Sequence, residues 1–195
     1  MREKSYVELN NEVLVEGQFN ADKDKEAVKK YFIDHVNVNM RWFHNLQEKV
    51  NYLVENNYWD AELLDKYSFE EVKAVFKRAY SYKFRFKSYM SAFKFYNDYA
   101  LKSDDKQTIL ERYEDRNSIV ALFFGDGDVD TALAYVDTLM KQEYQAATPS
   151  FLNIGRARGG ELVSCFLLEC GDSLNDINMM NSTARQLSKA GGGVS

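Results

Sequence analysis

The sequence predicts a mainly helical protein with a short strand–helix unit near its C-terminal end. Three observations carry that prediction. Apolar residues recur at three- and four-residue steps through most of the first 145 positions. The chain of 195 residues has one proline, so little interrupts its helices. After Gln145 the composition changes to glycine-rich loop chemistry around one apolar run, "ELVSCFLLEC", at 161–170.

The elements follow in order. Residues 5–19 alternate weakly around Tyr6, Val7, Leu9, Val13 and Val15, which reads as a short strand or an irregular arm. From Asp22 the spacing of Val28, Tyr31, Phe32 and Val36 predicts a helix. A second stripe, Met40, Phe43, Leu46, Val50 and Leu53, predicts another, with a break at Asn37 and Asn39. A short helix is expected at 59–66. Ser68 and Glu71 form an S-x-x-E capping box ahead of Val72, Val75, Phe76 and Ala79. "YSYKFRFKSY" (80–89) alternates basic and aromatic residues, so an extended turn or strand is expected there. Helical spacing returns through Met90, Phe93, Tyr96 and Ala100. Residues 107–124 read as a helix burying Ile109, Leu110, Tyr113, Ile119, Leu122 and Phe123. "GDGD" (125–128) is a turn before a helix over 130–144. "ELVSCFLLEC" has the length and composition of a buried strand, and Asp172 and Ser173 open a last helix to 189.

The totals narrow the function classes. A chain that is 45% hydrophobic and 28% charged has enough apolar side chains for a core of one or two domains. A net charge of −5 argues against general attraction to nucleic acid or anionic membranes. No apolar stretch approaches the roughly 20 residues of a membrane span, and Met1–Asn20 carries no signal-peptide core. Two cysteines do not make a disulfide scaffold; a reducing, cytoplasmic setting is expected.

Several local patterns invite a site. Along a regular strand Cys165 shares a face with Val163 and Leu167, and Cys170 lies on the other, so the two are not expected to bridge each other. A zinc site needs about four ligands, and His35 and His44 are the only histidines, so no metal site is expected. "GDGDVD" resembles the start of a calcium loop. Counted from Asp126, however, its twelfth position is Asp137, not a glutamate, and no glycine stands sixth; a turn with an N-cap at Asp128 or Asp130 is the better reading. "RARGG" (156–160) and the helix start at Asp172 and Ser173 are candidate anion contacts. The glycines 191–193 follow a helix and form no dinucleotide fingerprint; they mean flexibility or close backbone approach. The basic and aromatic residues at 80–99 fit core packing with lysine ammoniums reaching solvent better than a nucleic-acid groove.

Read in order, "DKDKEAVKKYF" (22–32), "FKSYMSAFKFYNDYALKSDD" (86–105), "ERYEDR" (111–116), "YQAATPSFLNIGR" (144–156) and "GELVSCFLLECGDSLNDIN" (160–178) resemble successive segments of the catalytic (alpha) subunit of class I ribonucleotide reductase. The short N-terminus resembles the class Ib branch, which lacks a full ATP-cone. The resemblance implies a helical N-terminal domain over 1–145, with a truncated cone region at its start. Residues 146–195 would begin a ten-stranded α/β barrel that is incomplete in this chain. It implies reduction of ribonucleoside diphosphates to deoxyribonucleoside diphosphates, started by a radical from a separate metal-containing beta subunit. No cofactor is expected on this chain directly. Cys165 falls on the first of the two reducing cysteines. Thr148, Ser150 and Ser164 fall on substrate-lining positions, the first two near the phosphates. Asp172, Ser173 and Leu174 fall on the site for deoxynucleotide or ATP effectors, and the 173–189 helix on an alpha-dimer interface. Asn39, Phe43, Phe86, Lys87 and Ser88 are candidates for an extra nucleotide site. The implied partners are the rest of the alpha subunit, the beta subunit and a thioredoxin- or glutaredoxin-like reductant.

The radical cysteine, the second reducing cysteine and the C-terminal cysteine pair of the family have no counterpart here, and Cys170 matches no catalytic position. A strand with one crossover helix also needs a neighbouring strand to bury its faces, and none is apparent. The expectation is one component of a split or truncated enzyme, inactive alone. The alternative is a stand-alone nucleotide-binding or dimerisation module.

Overall fold

The computed structural model describes residues 3–195. Eleven α-helices and four two-residue strands follow one another among them, and most of the core belongs to the helices.

The N-terminal segment corrects the expected arm. Residues Tyr6–Asn11 form helix α1, because Ser5 and Glu8 complete a reciprocal capping box. A small hairpin follows, β1 (Leu14–Val15) antiparallel to β2 (Gln18–Phe19), turning through Glu16 and Gly17, both at positive φ. The weak alternation is thus divided between a helix turn and an exposed hairpin.

Helix α2 (Lys23–Tyr31) runs without a break through a π-helical turn, Phe32–Val36, into α3 (Asn37–Asn39). The expected interruption at Asn37 and Asn39 instead falls at Met40, where the backbone becomes extended. Asn45 then caps α4 (Leu46–Glu55), accepting from the Glu48 amide. Helix α5 (Ala61–Leu64) is short. Helix α6 (Phe69–Ser81) has the expected Ser68–Glu71 capping box and buries Val72, Val75, Phe76 and Ala79 as the spacing predicts. After Lys83, which turns at positive φ, residues 84–88 are non-helical, with Phe84 and Phe86 turned inward and Arg85 and Lys87 outward, and they pair with no strand among the described residues. The "RFKS" stretch ends at Ser88, the N-cap of α7 (Tyr89–Lys94).

Helix α7 continues into a second π-helical turn, Phe95–Tyr99. The wider turn shifts the buried face: Tyr89, Ala92, Phe95 and Tyr96 are inside, while Met90 is exposed, against expectation. The two π-helical turns meet where the Phe32 and Tyr96 rings lie edge to face, 5.4 Å apart.

Residues 107–112 are not helical. Ile109 and Leu110 are buried in an extended segment held between two others. The Arg41 amide donates to Ile109 O, the Ile109 amide to Asn39 O, and the Leu110 amide to Leu101 O. Helix α8 begins only at Tyr113 and ends at Gly125. It is buried nearly all round, between α6 and α9 (Val129–Met140), and Phe123 is its exposed exception. At the α8–α9 turn the Asp128 carboxylate caps the Asp130 amide and accepts from Thr131, which commits it to the expected cap. Helix α10 (Thr148–Asn153) seats Phe151 in the helical core, followed by Ile154. Gly155 then turns at φ +64°, where a Cβ would stand 2.3 Å from Ile119 Cγ2.

Beyond Arg156 the character changes again. Strand β3 is only Cys165–Phe166, not a buried run of ten residues, and every residue from 157 onward is exposed or half-buried. Helix α11 (Leu174–Lys189), N-capped by Ser173, returns the chain to β4 (Gly193–Val194), which pairs parallel with β3. The neighbouring strand that is not apparent in the sequence is thus the glycine run itself. Gly192 lies against the Phe166 ring, where a Cβ would sit 2.3 Å from Cε2, and Gly191 turns at φ +93°. The product is a small β–α–β unit. Two strands of two residues cannot cover the apolar run, so Val163 and Leu167 remain exposed.

Candidate functional site

Four of the candidate residues lie along the path from α10 to β3. Thr148 is the first residue of α10, and its hydroxyl is 3.2 Å from the Tyr99 hydroxyl at the end of the second π-helical turn. Ser150 donates to Leu162 O, and Asn153 Nδ2 donates to Glu161 O at 2.8 Å. These bonds tie α10 to the chain entering β3, two residues before Ser164. Ser164 Oγ lies 3.9 Å from Cys165 Sγ, and Ser164 O accepts from the Gly193 amide at 2.7 Å. Both cysteines are free and exposed. The buried strand expected over 161–170 is therefore corrected for both cysteines: the strand ends at Phe166, and Cys170 lies exposed beyond it. An exposed thiol can exchange with a disulfide or thiol delivered from outside.

Asp172, Ser173 and Leu174 stand together at the start of α11. Ser173 accepts from the Asp176 amide at 3.1 Å and donates to its carboxylate at 2.6 Å, while Leu174 is 74% exposed. The arginines of "RARGG" are committed to the protein. Arg156 donates to Tyr99 O and faces Glu111 at 3.4 Å. Arg158 pairs with Asp104 at 2.9 Å and lies over the Tyr58 ring. A phosphate role for them is not what the geometry offers.

The five extra-site candidates are only partly assembled. Phe86 and Lys87 line a cavity of about 850 Å³ beside the two π-helical turns. Its apolar wall is mostly aromatic: Phe32, Trp42, Phe84, Tyr96 and Tyr113 join Phe86, beside Val28 and Ile33. Its cations, Lys25, Lys29, Arg85, Lys87 and Arg112, form no ion pair with a carboxylate among the described residues. Glu114 is the cavity's single acid; burial pushes its carboxyl above the ordinary glutamate range, with Asp115 adding to the shift. Asn39, Phe43 and Ser88 are not on this wall. Asn39 donates to His35 O at 2.8 Å, Ser88 caps α7, and Phe43 packs against Tyr52 in a neighbouring cavity. The residues that sequence reasoning missed, Lys25, Lys29 and Arg112, belong to two separate helix starts and faces. Only the fold brings them to one mouth.

Beneath both regions lies a charge cluster without a periodic signal. Glu111 is fully buried, accepting from Trp59 Nε1 at 2.7 Å and from the Leu101 amide at 3.1 Å, with Arg116 3.6 Å away and Arg156 beside it. Burial pushes the Glu111 carboxyl up, but the two guanidiniums and the donated hydrogen bonds outweigh it and hold it below the ordinary range. Burial drives Arg116 down to about 10. The cluster joins Trp59 ahead of α5, the segment before α8, α8 itself, the π-helical turn at Tyr99 and the loop after α10.

No helix among the described residues is long and apolar enough to cross a membrane. Two family models match the chain in succession: "Ribonucleotide reductase N-terminal" over residues 6–84, and "Ribonucleotide reductase, all-alpha domain" over 85–159. The chain is 62% identical over 192 residues to the ribonucleoside-diphosphate reductase subunit alpha of Bacillus subtilis (strain 168), covering 97% of this chain and 27% of that protein. It is 41% identical to the corresponding subunit of Mycoplasma pneumoniae over 98% of this chain and 26% of that protein. For that of Mycoplasma genitalium the identity is 39%, with the same coverage. The chain thus spans about a quarter of the length of these relatives.

Proposed function

The chain belongs to the ribonucleotide reductase family, as an N-terminal portion of an alpha subunit of the class Ib-like type, and from that premise we propose that it contributes to the reduction of ribonucleoside diphosphates to deoxyribonucleoside diphosphates. The observation that carries the reading is an accessible, free Cys165 on β3 beside Ser164, in a chain similar to reductase alpha subunits along 97% of its length.

In this reading Cys165 is one of two thiols that become a disulfide as the 2′-hydroxyl leaves as water; its partner thiol is not among these 195 residues. Thr148 and Ser150 offer hydroxyl donors to the substrate phosphates, and Ser164 lines the sugar. The Glu111 cluster and Tyr99 hold α10 in place, so that these hydroxyls are set before substrate arrives. Asp172, Ser173 and Leu174 contact a deoxynucleotide or ATP effector. Residues 1–145 serve as the helical domain and 146–195 begin the α/β barrel, with 146–156 remaining packed on the helices. Helix α11 contributes to an alpha dimer. The radical comes from a metal-containing beta subunit, and a thioredoxin- or glutaredoxin-like protein restores the thiols in the cytoplasm. The chain alone is inactive in this reading.

The test combines the chain with a polypeptide supplying the remaining alpha-subunit sequence and with the beta subunit, and measures dCDP formation. Cys165→Ser is expected to abolish turnover with dithiol reductants while substrate binding persists; full activity would sink the assigned role.

A second reading is favoured by one observation, the aromatic-walled cavity whose cations lack carboxylate partners among the described residues. Stacking on an aromatic face and unpaired cations together suit a nucleotide. The chain would then act as a nucleotide-binding module. Calorimetry with dAMP or dATP on the chain alone is expected to give saturable binding weakened by Lys87→Gln; a flat titration removes the module.

A further inference from the structure

Trp42 and Arg112 form a wall with a cavity on each side. The Arg112 guanidinium stacks on the Trp42 ring at 4.6 Å, and the indole is 62% exposed. Behind this wall, away from Phe86 and Lys87, is a second cavity of about 740 Å³ between the 40–46 segment and α6.

Its chemistry is unbalanced. Five cations line it, Arg41, Lys49, Lys73, Lys77 and Arg112, against one carboxylate, Asp115. That carboxylate is already satisfied: it is 1% exposed, pairs with Lys49, and accepts from the Tyr80 hydroxyl at 2.9 Å and the Arg112 amide at 2.7 Å. Lys73 pairs with Glu70. Arg41, Lys77 and Arg112 form no ion pair with a carboxylate among the described residues, although the whole chain carries a net charge of −5. Arg41 is instead held over the Tyr52 ring at 3.8 Å, which fixes its guanidinium without neutralising it. Arg41 and Lys77, with Arg112 answered only by Glu114 on the first cavity's side, leave an excess of positive charge around a concave, partly aromatic surface, which costs self-repulsion unless an anion occupies it.

We infer that this second cavity is a separate binding site for a phosphate-bearing small molecule, with Arg41, Lys77 and Arg112 as its anion contacts and Trp42 and Phe43 as its apolar wall. The inference goes beyond both readings above, neither of which uses Arg41 or Lys77. Because Arg112 also lines the first cavity, an anion on one side draws on a cation available to the other. Occupancy of the two cavities is therefore coupled and mutually weakening.

Trp42 reports on the site directly. Trp59, the only other tryptophan, is buried at 1% exposure. The probe is inorganic tripolyphosphate, titrated into the chain and followed by tryptophan fluorescence and by protection of Trp42 from acrylamide quenching. The expected result is saturable protection that survives Lys87→Gln, whose side chain touches the first cavity alone. The apparent Kd should rise about tenfold in Lys77→Gln and in Arg41→Gln, each of which removes one charge-assisted contact. ATP binding tighter than tripolyphosphate identifies a nucleotide, with its base against the aromatic wall; equal affinity identifies the phosphate chain itself as the ligand. Either outcome supports the site. No protection, or protection abolished by Lys87→Gln and indifferent to Lys77→Gln and Arg41→Gln, overturns it. Circular dichroism of each surface variant separates lost binding from lost fold.

Discussion

The helical body and the β3–α11–β4 unit are built from similarly apolar sequence, yet they solve burial in opposite ways. Helix α8 places even Asp115, Arg116, Asn117 and Ser118 out of solvent, because α6 and α9 close over it. The β–α–β unit buries no residue at all, and Leu167 is 87% exposed although its neighbours are Phe166 and Leu168. Apolar composition is the same promise in both places. What differs is the number of elements available to cover each face, and four strand residues are too few to form a covering sheet.

That contrast can be broken or sharpened by experiment. The largest effect is expected at the charge cluster. Glu111→Ala leaves two guanidiniums without their shared carboxylate, and the cost is about 3–5 kcal/mol. Urea unfolding followed by helical circular dichroism should show it as a lower midpoint; a change of less than about 1 kcal/mol would mean that the cluster is hydrated and not a structural tie. The same group sets a pH response. The folded Glu111 carboxyl titrates below its ordinary value of 4.5, so its stabilisation is complete above that value and is lost as pH falls through the folded value. Acid unfolding of Glu111→Gln should accordingly be shallower below pH 4.5 than that of the unaltered chain.

A smaller effect is expected in the helix core. Ile119→Val, at a side chain with no exposure beside Gly155, should cost about 1 kcal/mol. The smallest belongs to the other region. Leu167→Ser should change stability by less than about 0.5 kcal/mol, because the side chain is already in water. Both Cys165 and Cys170 should react with a thiol reagent without denaturant, at comparable rates. Protection of either thiol would show that the strand face is covered in solution, and the contrast between the two regions would disappear.

Particular residues show how far the sequence can be read. The capping box at Ser68–Glu71, the stripe through Val72, Val75, Phe76 and Ala79, the cap at Asp128 and the start of α11 at Ser173 are local devices, set by groups three or four residues apart, and they are legible. Helical spacing misplaces Met90 because the π-helical turn after α7 changes the period that places residues inside or outside. It misreads Ile109 and Leu110 as helix because a buried extended segment and a buried helix share apolar runs. The candidate site divides the same way. Cys165, Ser164, Thr148 and Ser150 are found through resemblance in ordered motifs. Asn39, Phe43 and Ser88 group with Phe86 and Lys87 by that resemblance, but the fold gives them other partners.

By itself the sequence determined the helical class, the helix caps at Ser68, Asp128 and Ser173, and the family. These depend on short-range geometry or on residues in order along the chain. Only the tertiary structure decided that Glu111 is shared by Arg116 and Arg156, that the glycine run becomes the strand beside Cys165, and that Arg112 and Trp42 stand between a pair of cation-lined cavities. Those contacts join residues far apart along the chain. Their energies come from desolvation and packing around the whole set, and no periodicity along the chain encodes them.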